Sequence, residues 1–126
     1  MAKKILIVDD DTDFIEAMTA LLEGNGYQIS SESNAKKGFE AARTGNPDML
    51  LLDVMMPGID GFDIARALHD DENTNKIPVI IITGVRKQMG PSFKFRPDSV
   101  WLPVKAVLEK PVKPEQLLKT IKENLS

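Results

Sequence analysis

Short apolar runs alternate with amphipathic stretches along most of the chain. The first run, residues 5–8, is four residues long and ends at three acids, which predicts a strand buried on both faces. Asp11 or Thr12 can cap a helix that Gly24 or Gly26 would end. Within that stretch, apolar residues recur at helical spacing and form a core-facing stripe: Phe14, Ile15, Met18, Leu21 and Leu22. The pattern therefore predicts a strand followed by an amphipathic helix.

The same unit then repeats. Further strands are predicted at Tyr27–Ser31, Met49–Leu52, Val79–Ile82 and Ala106–Leu108, and further helices near Ala35–Arg43, Phe62–Leu68 and Pro114–Leu125. Strands that alternate with helices imply βαβ crossovers, a parallel sheet and helices on both faces. The fold class is therefore α/β.

One stretch departs from this alternation, the residues between Gly84 and Val107. It contains Gly90 and three prolines at positions 91, 97 and 103, so a long regular helix is not expected there, although one turn can form over residues 85–89. We expect a shortened helix or an irregular segment at this place.

Composition limits the possible functions. A chain of 126 residues with 42% hydrophobic and 28% charged residues is typical of one folded domain, here taken as residues 1–126. The absence of cysteine and the single histidine exclude disulfide frameworks, thiolate zinc sites and His-rich metal sites. No apolar run is long enough for a membrane helix or a secretory signal, so we expect a cytoplasmic protein. The net charge of −3 argues against nucleic acid as the main partner.

Polar residues follow the predicted strands at their carboxyl ends. Asp9 and Asp10 follow the first strand, Asp53 the third, Thr83 the fourth and Lys110 the fifth. The carboxyl ends of parallel strands share one edge of a sheet, so these side chains should converge. Clustered carboxylates repel one another and need a compensating cation, which Lys110 supplies in part. A donor set of oxygen atoms alone points to Mg²⁺ for the remainder.

These residues resemble a known family. Val8-Asp9-Asp10, the stretch Leu52-Asp53-Val54-Met55-Met56-Pro57-Gly58-Ile59-Asp60-Gly61, Thr83-Gly84 and Lys110-Pro111 are similar to the motifs of receiver domains of two-component response regulators. The resemblance extends from Lys4 to Leu125. It implies a flavodoxin-like, doubly wound sheet of five parallel strands in the order 2-1-3-4-5.

The resemblance also implies roles for individual residues. Asp53 would be the phosphoacceptor, while Asp9, Asp10, the Asp53 carboxylate and the backbone carbonyl of Met55 would hold Mg²⁺. Thr83 and Lys110 would bind the phosphoryl oxygens. The phosphate would come from a sensor histidine kinase or a histidine phosphotransferase. The chain would act as a signalling protein that catalyses only its own phosphorylation and dephosphorylation.

The sequence departs from the family pattern at the switch. Three residues before the lysine the family usually has Tyr or Phe, but this chain has Val107, so the usual coupling of that aromatic ring to Thr83 is not expected. The residues two past Asp53 and two past Thr83 are Met55 and Val85, both apolar. Because these positions control the access of water to the acyl phosphate in the family, we expect slow self-dephosphorylation.

A second departure is the charge of residues 85–105. This segment has five basic residues and one acid, a formal charge of +4, which leaves −7 for the rest of a chain whose total is −3. Its aromatic residues either cover the sheet in place of a helix or form a surface for docking a downstream target or a second copy. Direct binding of nucleic acid is the weakest alternative.

Two further functions stay open at this point. The altered switch is compatible with a receiver-like interaction module that works without phosphorylation. Enzyme functions fit less well: a dehalogenase-type phosphotransferase would place a second Asp where Met55 stands, and a flavin-binding protein would not place three acids in its phosphate loop.

Overall fold

Five strands and four helices make up the part of the chain that the computed structural model describes, residues 2–53, 61–83 and 104–125. The strands are β1 (Lys4–Val8), β2 (Gln28–Glu32), β3 (Met49–Leu52), β4 (Val79–Thr83) and β5 (Ala106–Glu109). The helices are α1 (Thr12–Glu23), α2 (Ala35–Gly45), α3 (Gly61–Asp70) and α4 (Pro114–Leu125). The predicted elements are confirmed, and their boundaries agree with the predictions to within two residues.

All neighbouring strands pair in parallel, and the sheet has the order β2-β1-β3-β4-β5. This is the doubly wound order 2-1-3-4-5 that the resemblance implied. The prediction of a shortened or irregular segment in place of a helix after β4 falls on residues 84–103, which lie outside the described residues.

The core has two layers, one on each face of the sheet. Alternate residues of β1 point to opposite faces: Leu6 and Val8 pack with residues of α2 and α3, whereas Ile5 and Ile7 pack with residues of α1 and α4. The prediction of helices on both faces is therefore confirmed. All four residues of β3 are buried, because this strand lies in the middle of the sheet and is covered on both sides.

Polar side chains cap the helices next to the sheet edge. The Asp11 side chain accepts a hydrogen bond from the Phe14 backbone N–H and begins α1. Asn34 does the same for α2 with the Lys37 backbone N–H. These caps satisfy amides that have no partner within the helix and fix where each helix begins.

One close approach brings α2 onto the end of β1. A Cβ atom added at Gly38 would lie 2.6 Å from Cγ1 of Val8. The missing side chain therefore lets α2 pack directly against the residue that precedes Asp9.

None of the described helices is long and apolar enough to cross a membrane.

Candidate functional site

Backbone hydrogen bonds between neighbouring strands place the acids of the site. The N–H of Asp9 donates to the carbonyl of Glu32 at 3.1 Å, and the N–H of Asp53 donates to the carbonyl of Val8 at 2.9 Å. The hydrogen-bond ladder thus continues one residue past β1 and β3. As a result, Asp9 and Asp53 lie side by side at the carboxyl edge of the sheet.

Three carboxylates converge at this edge, as predicted from the strand ends. Oxygen atoms of Asp9, Asp10 and Asp53 lie within 4.8 Å of one another. Asp9 and Asp53 are buried, with 2% and 5% of their surfaces exposed, whereas Asp10 is exposed. The cluster is therefore embedded in the protein on one side and open on the other.

Lys110 lies against the two buried acids. Its Nζ is 2.9 Å from Oδ2 of Asp9 and 3.7 Å from Oδ2 of Asp53. Lys110 follows β5, and the peptide bond that joins it to Pro111 is cis. Side chains that follow β1, β3 and β5 therefore meet at one edge of the sheet, as the positions of the strand ends predicted.

The charges of the cluster alter the protonation of Asp9 and Lys110. Burial raises the pKa of Asp9 to about 6, and the negative charge of Asp53 also raises it. The hydrogen bonds from the Asp11 N–H and from Lys110 lower the pKa but do not cancel the effect of burial. Burial lowers the pKa of Lys110, but its hydrogen bond to Asp9 and the surrounding carboxylates outweigh this and raise it above the ordinary value. Lys110 is accordingly a cation at neutral pH.

Mg²⁺ fits this donor set. The candidate ligands are three carboxylates, two of them taken out of bulk water, and their oxygens are close enough to share one ion. Burial, with a smaller contribution from the charge of Asp53, raises the pKa of Asp9, so a further cation beside Lys110 would favour the ionised form of this ligand. Hard oxygen ligands with one side open to water are what Mg²⁺ binds in proteins.

Two of the predicted site residues, Thr83 and Met55, lie partly or wholly outside the described residues. Thr83 is the last residue of β4, paired with Glu109, so its backbone lies at the same edge of the sheet. Its side chain, like the whole of Met55, lies outside the described residues, so the roles expected for both stay predictions. Val85 lies there as well.

Phe14 is a contact of the site that the sequence pattern did not reveal. Its spacing placed it in the apolar stripe of α1, and it does pack against the core. The structure also places the face of its ring 4.4 Å from the Lys110 ammonium, measured from Nζ to the ring centroid. The only available signal was its position one turn after the acids.

The chain matches the family described as response regulator receiver domain over residues 5–122. It is 40% identical over 121 residues to the protein PilH of Pseudomonas aeruginosa, a match that covers 94% of this chain and 93% of PilH. It is also 40% identical over 85 residues to the response regulator PleD of Caulobacter vibrioides, but this match covers only 19% of PleD.

Solved structures give the same result. A CheY-like response regulator receiver domain from Methanospirillum hungatei superposes with a TM-score of 0.83 at 28% identity, covering 99% of this chain and 94% of that one. The receiver domain of a sensor histidine kinase from Pseudomonas aeruginosa, described with a magnesium ion coordinated in its active site cleft, has a TM-score of 0.83 at 22% identity and covers 99% of this chain and 98% of that one. The latter likeness concerns the fold alone. With a family match across nearly its whole length and a relative of almost equal extent, this chain belongs to the response regulator receiver domain family.

Proposed function

We propose that this chain is a phosphoacceptor that takes a phosphoryl group onto Asp53 in a Mg²⁺-dependent reaction. The observation that carries the proposal is the arrangement at one sheet edge: the buried carboxylate of Asp53, two further acids within 4.8 Å and the ammonium of Lys110. The buried acidic cluster favours this function over the alternative of a module that works without phosphorylation.

In the proposed reaction, a carboxylate oxygen of Asp53 attacks the phosphorus of a phosphorylated histidine. The new O–P bond forms as the P–N bond breaks, and the electron pair of that bond stays on the imidazole nitrogen. The donor would be a sensor histidine kinase or a histidine phosphotransferase. The product is an acyl phosphate at position 53.

Lys110 is placed to stabilise the charge that arrives with the phosphoryl group. Its Nζ is within hydrogen-bond range of Asp9 at 2.9 Å but not of Asp53 at 3.7 Å, so a small movement would bring it to an oxygen attached at Asp53. The Thr83 hydroxyl is proposed as a second donor to the phosphoryl oxygens.

Asp9, Asp10 and Asp53 would hold the Mg²⁺ ion, with the Met55 carbonyl as a further ligand. When bound, the ion supplies positive charge that lowers the repulsion between these acids and an incoming phosphoryl group. The receiver domain of the sensor histidine kinase, whose structure is described with magnesium in its active site cleft, supports this assignment by analogy.

The acyl phosphate would then change the balance between two conformations of a single receiver domain, because it adds charge at an edge already rich in acids. The output would be altered binding of a downstream protein or of a second copy. Residues 85–105, which include the basic and aromatic positions, stay the predicted surface for this step, and a cytoplasmic location stays a prediction as well.

The test is the intact mass of the purified protein after incubation with Mg²⁺ and a small phosphodonor such as acetyl phosphate. We expect the mass of one phosphoryl group to be added to the wild type and to Asp48→Asn, but not to Asp53→Asn. Asp48 is a matched control because it lies at the opposite end of β3, where it accepts a hydrogen bond from the Lys4 N–H. A wild type that gains no mass would favour the phosphorylation-independent module.

A further inference from the structure

The ring of Phe14 lies against the ammonium group of Lys110. Phe14 lies in the first turn of α1 and is half-buried, and its ring centroid is 4.4 Å from Nζ of Lys110. An ammonium within about 6 Å of an aromatic centroid is attracted by the negative face of the ring. The contact is therefore attractive, and it places the ammonium on the side of the site formed by α1.

This contact complements the ion pair with Asp9. A lysine side chain has many rotamers, and holding it in one of them costs conformational entropy. Asp9 binds Nζ at 2.9 Å, but several rotamers of the four-carbon stem can place Nζ at that oxygen, so this one hydrogen bond does not fix the side chain. The contact with the ring favours the rotamers in which the stem lies on the α1 side of the site. In this position Nζ is also 3.7 Å from Oδ2 of Asp53.

The position of the ring is itself tied to the acids of the site. Oδ1 of Asp9 accepts a hydrogen bond from the Asp11 N–H at 2.9 Å, and Oδ1 of Asp11 accepts one from the Phe14 N–H at 3.1 Å. The two carboxylate oxygens of Asp9 thus bind Lys110 on one side and the start of α1 on the other. Asp9 consequently binds Lys110 directly and is linked to Phe14 through Asp11.

We propose that Phe14 is a positioning residue for Lys110, which its ring orients toward the phosphoacceptor. The inference rests on the proposed function, since it concerns how Lys110 is presented to Asp53. Its step is not chemical: no bond forms or breaks at Phe14. The ring restricts the ammonium to the region between Asp9 and Asp53.

The test compares the wild type with Phe14→Leu, which keeps an apolar side chain but removes the ring, and Phe14→Tyr, which keeps the ring. Leu21→Ala serves as a control for helix destabilisation, because it removes a core contact seven residues further along the same helix face, about 10 Å away. Two quantities are measured in each protein: the NMR shifts of the Lys110 ε protons, and the rate of phosphorylation by acetyl phosphate with saturating Mg²⁺.

We expect the ε protons of Lys110 to be shifted upfield by the ring in the wild type and in Phe14→Tyr, and to return to the values of the exposed lysines in Phe14→Leu. Phosphorylation should slow about 3- to 10-fold in Phe14→Leu, as the loss of one cation–π contact implies, and stay near the wild-type rate in Phe14→Tyr and Leu21→Ala.

Two results would overturn the inference: a Lys110 shift that does not depend on the ring, or a rate in Phe14→Leu equal to that of the wild type. Failure of the proposed function has a different signature. A wild type that takes up no phosphate refutes that function, while a ring-dependent Lys110 shift in the same sample still supports the contact itself.

Discussion

The ammonium of Lys110 lies 2.9 Å from Oδ2 of Asp9, nearer than the 3.7 Å that separates it from Asp53. The lysine is therefore paired more closely with a candidate metal ligand than with the candidate phosphoacceptor. In this arrangement Asp9 keeps a counter-ion, while Lys110 stays within a short movement of Asp53.

Removing the charge of Asp9 should stabilise the metal-free protein. Because the pKa of Asp9 in the folded protein is about 6, above the ordinary 3.8, its contribution to stability is fully present below about pH 4 and is lost as the pH rises through 6. At pH 7 we expect Asp9→Asn to raise the free energy of unfolding by about 1 to 3 kcal/mol, partly offset by the lost ion pair with Lys110. The difference from the wild type should disappear near pH 4.

Urea denaturation with EDTA, repeated across this pH range, measures the effect. Asp10→Asn is the matched control, since it makes the same change on the exposed neighbouring acid. Added Mg²⁺ should stabilise the wild type more than Asp9→Asn, because at a given concentration a ligand that binds the folded state more tightly stabilises it more. An Asp9→Asn protein that is less stable than the wild type at pH 7 without metal would contradict the electrostatic argument.

Replacing Lys110 should affect metal binding and phosphorylation in opposite directions. Lys110→Met removes a cation next to two candidate ligands, so Mg²⁺ should bind more tightly by a few-fold. The same change removes a stabilising charge from the reaction, and phosphorylation by acetyl phosphate should slow by about 10²-fold or more. Calorimetry and intact mass measure the two effects, with exposed Lys113→Met as the control. Weaker Mg²⁺ binding in Lys110→Met would show that the lysine organises the ligands instead of competing with the ion.

The packing of α2 against β1 should be sensitive to a single methyl group. Gly38→Ala would place a Cβ 2.6 Å from Cγ1 and 2.7 Å from Cγ2 of Val8, which forces the helix away from the sheet. We expect a loss of about 1–3 kcal/mol in unfolding free energy. Gly45→Ala in the same helix is the control, because nothing lies within 4 Å of its added Cβ.

Urea unfolding distinguishes these two variants. Gly45→Ala should be neutral or stabilising, since alanine has the higher helix propensity. The double variant Gly38→Ala/Val8→Ala should recover part of the loss, because it removes both γ methyl groups that cause the clash. If Gly38→Ala is as stable as Gly45→Ala, the close approach of α2 to β1 is wrong.

An ion pair fixes the loop after α3 to α2. Nε of Arg43 lies 2.9 Å from Oδ2 of Asp71, and the Arg43 guanidinium also lies 5.9 Å from the ring centroid of Phe39. We expect Arg43→Ala to lower the free energy of unfolding by about 1 kcal/mol. This is at the upper end of the range for surface ion pairs, because the ring contact is lost as well. Lys119→Ala should cost nothing measurable, since its pair with Glu123 is more exposed and 4.0 Å long. Equal losses in the two variants would contradict this ranking.

The strands and the convergence of the acids could be predicted from the sequence, for one physical reason. Parallel strands that are buried on both faces give continuous apolar runs, such as residues 49–52, which locate the strands in the sequence. Because the carboxyl ends of parallel strands lie at one edge of the sheet, the residue after each run could be placed near the others. The spacing could not show that Lys110 pairs more closely with Asp9 than with Asp53, because this depends on side-chain rotamers and on a difference of less than one ångström between two distances.

Two further features were invisible for related reasons. Phe14 fits the apolar stripe of α1, and periodicity cannot distinguish a ring that only packs in the core from one that also faces Lys110. Gly38 lies inside a helix, where glycine alone does not reveal how close a neighbouring strand comes. Both depend on how a helix is seated on the sheet, which is a tertiary property.

The most direct test of the central claim identifies the residue that receives the phosphoryl group. The protein is phosphorylated with acetyl phosphate and Mg²⁺ and then treated with borohydride, which reduces an acyl phosphate to an alcohol, and the modified peptide is sequenced by mass spectrometry. We predict reduction at position 53 alone, abolished when EDTA is present during phosphorylation. Reduction at Asp9 or Asp10, or a phosphoryl group that resists borohydride, would contradict the assignment of Asp53 as the phosphoacceptor.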